Sequence, residues 1–201
     1  MDDAQKSREE LLAELGSLRA RVAELEKEDR EQRRAETKSE WEVTHDELTG
    51  LFDRRHFLER LTPIVRSAVR YRYPVSVSVC QVDGVEALSE EKGRVVVDEL
   101  LAEFGGLVLD ELRGEDLAGR YADSVFCLCF PHTTAIDAAT PVRRLRTRLA
   151  KMTGDLPIVA AFGVADLECG ATTAVELLDA AVQALDRARA ADDAICIVQA
   201  P

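Results

Sequence analysis

The segment Arg113-Gly114-Glu115-Asp116 sets an arginine and an aspartate three residues apart. A guanidinium is a rigid fork of donors that can take a phosphate, or the O6/N7 edge of a guanine, in bidentate fashion. A carboxylate beside it can accept N–H donors from the same ligand. The spacing also suits an i, i+3 salt bridge at a helix end, so the pair alone leaves both a ligand clamp and a surface ion pair open. The other reactive types are scattered. His45, His56 and His132 have no ligand spacing, so no metal site is expected. The five cysteines (Cys80, Cys127, Cys129, Cys169, Cys196) include no Cys-x-x-Cys pair and lie mostly in apolar, strand-like stretches, which predicts buried reduced thiols.

These residues need a folded core to position them. The 201 residues, 46% hydrophobic and 32% charged, suffice for one core-bearing domain of ordinary size plus an appendage. A formal net charge of −12 disfavours nucleic acid and anionic lipid as partners. It leaves room for a small anionic ligand held by a few local arginines. No apolar run approaches the roughly 20 residues of a membrane helix, and the charged start MDDAQKSREE lacks the apolar core of a signal peptide. A cytoplasmic protein without membrane insertion is expected.

Residues 7–46 are dense in Glu, Arg, Leu and Ala and contain no proline. Leu11, Leu15, Leu18, Val22 and Leu25 step by four and three, the a/d seam of a heptad. With Leu15 and Val22 at a, the g–e′ pairs Glu14–Arg19, Arg21–Glu26 and Glu28–Arg33 are all opposite in sign, as a parallel, in-register homodimer requires. The seam then weakens through Asp29, Gln32, Glu36 and Ser39 before Val43. Residues 1–45 are therefore expected to form a dimerising helix and 46–201 a globular domain. Within the latter, the pattern predicts helix at 55–70, strand at 75–82, a mostly helical stretch at 84–112, and strand at 116–121. A tight turn at Ala122-Asp123 leads to strand at 124–130, then helix at 134–152, strand at 157–164, helix at 173–191 and strand at 194–199. That order implies an α/β (α+β) fold, a mixed central sheet flanked by helices.

Asp46-Glu47-Leu48-Thr49-Gly50-Leu51-Phe52-Asp53-Arg54-Arg55 is similar to the D-x-L-T-G-L-x-N-R-R motif that opens GGDEF domains, the fold of the diguanylate cyclases. Residues 79–101 resemble the family's D-x-D-x-F-K-x-x-N-D…G…G-D segment. Arg120-Tyr121-Ala122-Asp123-Ser124-Val125-Phe126 stands where the family has R-Y-G-G-D/E-E-F. Phe162-Gly163-Val164-Ala165 resembles its S-I-G-V-A strand, and residues 177–189 its last helix. The ordered spacing of these landmarks over 46–199 carries the resemblance more than any one of them.

The resemblance implies a nucleotide site whose chemistry this chain has largely lost. A diguanylate cyclase joins two GTP molecules with divalent metal, and magnesium takes hard anionic oxygen. The family's two metal carboxylates are Gln81 and Ser124 here, and the acidic fourth letter of the signature is Val125. The signature's glycines, which let backbone approach phosphate, are Ala122 and Asp123. The family's guanine-reading Asn is Ser89, whereas Asp98 matches the second guanine contact and Asp83 keeps the second carboxylate of D-x-D. The phosphate-contacting Lys is Arg189, and a following Arg position is Asp193. No magnesium, cofactor or catalysis is expected.

Arg113-x-x-Asp116 stands five residues before Ala122, the spacing of the family's inhibitory site for cyclic di-GMP. Arg144 resembles a further arginine that some members add to it. Retention of this pair beside a lost active site favours a ligand clamp over a salt bridge. The expected function is a catalytically inactive cyclic di-GMP receptor, dimerised through the coiled coil and acting on a downstream protein that the sequence does not name. The alternatives are a ligand-independent docking module of the same fold and a weak residual cyclase or GTP-binding domain.

Overall fold

The structure is a computed structural model that describes residues 12, 15–19, 21–22, 24–29, 41, 43–191 and 195–198. Two units divide at Val43/Thr44. In the first, residues 15–19, 21–22 and 24–29 are helical, with Arg21 and Glu24 paired at 2.8 Å. Leu15, Leu18, Val22 and Leu25 of the predicted seam are all exposed in the single chain. Leu11, Glu14, Gln32, Arg33, Glu36, Ser39 and Asp193 lie outside the described residues. No helix among the described residues is long and apolar enough to cross a membrane.

The second unit runs β1 (Phe52–Asp53), α1 (Arg54–Tyr71), β2 (Val75–Asp83), α2 (Val85–Lys92), α3 (Arg94–Glu111), β3 (Leu117–Ala122), β4 (Val125–Pro131), α4 (Ala135–Thr153), β5 (Val159–Asp166), α5 (Ala174–Ala190) and β6 (Ile195–Ile197). The sheet order is β1-β3-β4-β2-β5-β6, with β1–β3 and β5–β6 parallel and the remaining pairs antiparallel. This is the mixed α/β architecture the sequence predicts.

β2 lies at the centre, paired to β4 on one side and β5 on the other. Its alternation of Val and Ser would suit a strand with one wet face, yet Ser76 and Ser78 are fully buried. Both faces are covered. Val75, Val77 and Val79 pack with Phe57, Leu61 and Val65 of α1 and Leu177, Ala181 and Leu185 of α5. On the opposite face Cys80 and Val82 join Phe104 and Val108 of α3 and Val142, Leu145 and Leu149 of α4. Cys80, Cys127 and Cys129 are buried in these layers, while Cys169 and Cys196 are half-buried; all five are free thiols. Burial pushes the Cys129 thiol up to about 12, and holds those of Cys80 and Cys127 well above the ordinary range too.

Four details refine or correct the sequence reading. The mostly helical stretch 84–112 is two helices, because Gly93 takes φ 89°, ψ 159° and its N–H caps the Ser89 carbonyl; a positive φ of this kind suits glycine. The signature turn is Asp123-Ser124, since Ala122 pairs with Val125 and Tyr121 forms a bulge between Arg120 and Ala122. β5 begins at Val159, two residues late, because Ile158 N–H is turned back to the Leu156 carbonyl. β1, two residues long, is too short for any periodicity to reveal.

Adjacent glycines in α3 meet opposite surroundings. A Cβ on buried Gly105 would lie 2.5 Å from the Thr49 carbonyl oxygen, whereas one on exposed Gly106 would meet nothing within 4 Å. Gly106→Ala should therefore stabilise the domain by about 0.5–1 kcal/mol through helix propensity. Gly105→Ala should destabilise it by about 1–3 kcal/mol through overpacking. Urea unfolding of the two variants side by side checks the pair.

Candidate ligand-binding site

The end of α3 is followed by a tight strap at Arg113–Asp116. The strap closes on itself: Arg113 N–H donates to Asp116 Oδ2 at 2.9 Å, and Asp116 N–H donates to the Arg113 carbonyl at 3.1 Å. The two side chains do not form the i, i+3 salt bridge, and among the described residues the Arg113 guanidinium has no ion-pair or hydrogen-bond partner. Burial pushes the Asp116 carboxyl above the usual aspartate range, and the Arg113 N–H and charge only partly offset this.

α4 supplies the third residue. Its N-terminus is capped by Thr134, whose hydroxyl accepts from Asp137 N–H at 3.3 Å. It is anchored to β5 by buried Asp166, which accepts from Ala135 N–H at 2.7 Å. Packed against α3, the helix brings Arg144 to Glu111, whose Oε1 accepts from Arg144 Nε. Arg148 bonds Asp110 at 3.0 Å. Arg113, Asp116 and Arg144 thus converge on one cavity of about 390 Å³, where Glu111, His132 and Asp137 also stand, with buried Phe130 behind them. Arg113 and Asp116 also border a smaller hollow of about 270 Å³ lined by His45, Leu51 and Phe52.

Sequence reasoning missed Glu111, His132 and Asp137. Thr134-x-x-Asp137 is legible as a capping pattern. Glu111 reads as an ordinary exposed helical residue until α4 is placed over it.

It also missed the roles of Asp46 and Arg120. Arg120 Nη1 donates to both Asp46 oxygens at 3.2 and 3.1 Å, and its Nε and Nη2 donate to the Asp123 carbonyl at 3.1 and 2.8 Å. Asp46 Oδ1 also accepts from Thr49 N–H at 2.9 Å and Thr49 Oγ1 at 2.7 Å. One ion pair therefore fixes the loop before β1 to the turn between β3 and β4.

A family profile described as "Diguanylate cyclase, GGDEF domain" matches residues 43–194. The chain belongs to the GGDEF domain family. It is 30% identical over 105 residues to the response regulator PleD of Caulobacter vibrioides, covering 52% of this chain and 23% of that protein. An uncharacterised protein of Mycobacterium tuberculosis is 31% identical over 172 residues, 83% of this chain and 27% of that one. The chain thus spans about a quarter of the length of these curated relatives. Among solved structures, the coiled coil and GGDEF domain of DgcB from Caulobacter crescentus, in complex with c-di-GMP, superposes with TM-score 0.75 at 19% identity over 90% of this chain and 100% of that one. The GGDEF domain of FimX from Pseudomonas aeruginosa gives 0.68 at 25% identity, over 77% and 99%.

The positions where GGDEF cyclases place metal and phosphate contacts are brought together in part. Arg189, at the end of α5, donates to Gln81 Oε1 at 3.3 Å and to Asp83 Oδ1 at 2.9 Å at the end of β2. Ser124 is buried in the turn, with its carbonyl accepting from Val82 N–H at 2.9 Å, while Ala122 and Asp123 are exposed and Val125 is half-buried. Ser89 lies on α2 and Asp98 on α3, where Asp98 faces Arg94 at 3.9 Å.

Arg120→Ala should cost about 2–3 kcal/mol, since Arg120 and Asp46 side chains are only 15% and 24% exposed and removal of one partner strands the other charge. Chemical denaturation measures it.

Proposed function

We infer that the chain is a non-catalytic receptor for cyclic di-GMP. The convergence of Arg113, Asp116 and Arg144 on one cavity carries the reading. Arg113 offers an unengaged fork for a phosphate or the guanine O6/N7 edge, Asp116 an acceptor for the guanine N–H groups, and Arg144 a second cation. Relatives of this fold solved with c-di-GMP, DgcB and the Vibrio cholerae LapD S helix-GGDEF-EAL structure, support the ligand class by analogy.

The former catalytic positions support the non-enzymatic half. A divalent cation there would meet the neutral amide of Gln81, a hydroxyl at Ser124, and a carboxylate, Asp83, already bonded to the Arg189 guanidinium. That donor set does not fit magnesium bound to a triphosphate, and Asp123 in the turn adds repulsion. In this proposal the helix of residues 1–45 dimerises through the seam of Leu15, Leu18, Val22 and Leu25, in the cytoplasm. Bound ligand restrains one domain of 46–201 relative to its neighbour, to the degree that it prefers one arrangement. A downstream protein reads that state.

Calorimetric titration of cyclic di-GMP into the purified chain should give micromolar or tighter binding, abolished by Arg113→Ala and Arg113→Glu. Absence of heat from nucleotide-free, unsubstituted protein would overturn the receptor reading and favour a ligand-independent docking module.

The pH dependence has a definite sign. The carboxyl of Asp116 is raised, so protonation on acidification begins above the ordinary value of about 3.9 and removes the acceptor. Affinity should fall as the pH drops through that raised value and level off above it, and Asp116→Asn should lose this component.

Incubation with GTP and magnesium or manganese should yield no cyclic di-GMP by chromatography. Measurable conversion would overturn the non-catalytic assignment.

A further inference from the structure

We propose that Glu111 is a built-in anion that competes with the ligand for Arg144, so that the cavity reaches its full affinity only when the Glu111–Arg144 pair opens. The proposal rests on the receptor reading above and concerns the control of that same site.

Glu111 is the last residue of α3, two positions before Arg113, and its side chain is only 10% exposed. Its Oε1 accepts from Arg144 Nε and lies against Nη2 of the same guanidinium, so the Nε/Nη2 edge of Arg144 is taken. Bidentate recognition of phosphate or guanine requires a free guanidinium edge. Arg113 has its edges free, whereas the Nε/Nη2 edge of Arg144 is occupied. The site is therefore primed on one side and latched on the other. A ligand can engage Arg113 and Asp116 directly, but must displace a carboxylate to recruit that edge of Arg144.

The charge balance points the same way. Around the cavity Arg113 and Arg144 face Glu111, Asp116 and Asp137. Asp137 accepts from the Thr134 hydroxyl at 2.9 Å, and Asp116 from the Arg113 N–H. Arg148 is shared between Asp110 at 3.0 Å and Glu111 at 3.8 Å, so it does not neutralise Glu111 by itself. Two guanidiniums against three carboxylates leave no surplus positive charge for a ligand with two phosphodiesters. Of the three, Glu111 is the one that holds a ligand-binding arginine through its side chain. Neutralising it frees the arginine and corrects the balance in one step.

The test is calorimetric titration of cyclic di-GMP into the full chain, Glu111→Gln, Arg144→Ala and the double variant, with thermal unfolding alongside. Glutamine keeps the shape and a hydrogen-bonding oxygen but removes the charge. Glu111→Gln should bind roughly tenfold tighter than the unsubstituted chain, and most of that gain should vanish in the Arg144→Ala background because the two residues act through one interaction. Glu111→Asp, which withdraws the carboxylate by one methylene, should show a smaller gain in the same direction and serves if the glutamine variant fails to fold. Binding by the unsubstituted chain with no gain in either Glu111 variant would overturn the latch and leave the receptor reading standing. A gain undiminished without Arg144 would overturn the route through that arginine. Absence of binding in every variant would remove the receptor reading and the latch together.

Discussion

One guanidinium ties the loop before β1 to the turn between β3 and β4. Arg120 spends its donors on two places distant in sequence, the Asp46 carboxylate and the Asp123 carbonyl. The first bond secures the loop leading into β1, and the second fixes a two-residue turn that the bulge at Tyr121 would otherwise leave free to twist. Asp46 then holds Thr49, and Thr49 lies so close beneath Gly105 that α3 can approach only because that residue has no side chain. From the turn to the helix that ends at Glu111, the contacts are continuous. Partial burial makes the ion pair matter, since the charges have little water to fall back on if separated.

Arg189 and Arg113 are used in different ways. Arg189 directs its bonds to Gln81 Oε1 and Asp83 Oδ1 at the end of β2. Arg113 is directed outward from a strap whose own backbone is satisfied internally. The same side-chain chemistry thus closes one region and keeps another open, and the difference lies in whether a carboxylate or amide stands within reach.

The sequence carried the fold in its longer elements. Apolar spacing located α1, α4 and α5 closely, and the strand β2 by its valines. It failed where a single residue decided the outcome. Gly93 divides the mostly helical stretch 84–112 through its positive φ, and the lysine and glycine that end α2 are a C-terminal signal masked by the helix formers on both sides. The signature turn lies one residue later than read because the Arg120 side chain caps the Asp123 carbonyl and Val82 N–H holds the Ser124 carbonyl, contacts that turn propensity does not reveal. In the candidate site, Arg113, Asp116 and Arg144 were legible through family spacing. Glu111 was not, because its importance arises from a helix–helix contact between residues far apart in the chain.

The buried thiols of β2 and β4 give the sheet a further property. A thiol held as the protonated form, with its sulfur enclosed between two helical layers, is poorly nucleophilic and out of reach of oxidants. Cys80, Cys127 and Cys129 sit on adjacent central strands, where reagent can enter only when the layers separate. They are a built-in clock: the rate at which they react reports how often the middle of the domain breathes, without any label added to the chain.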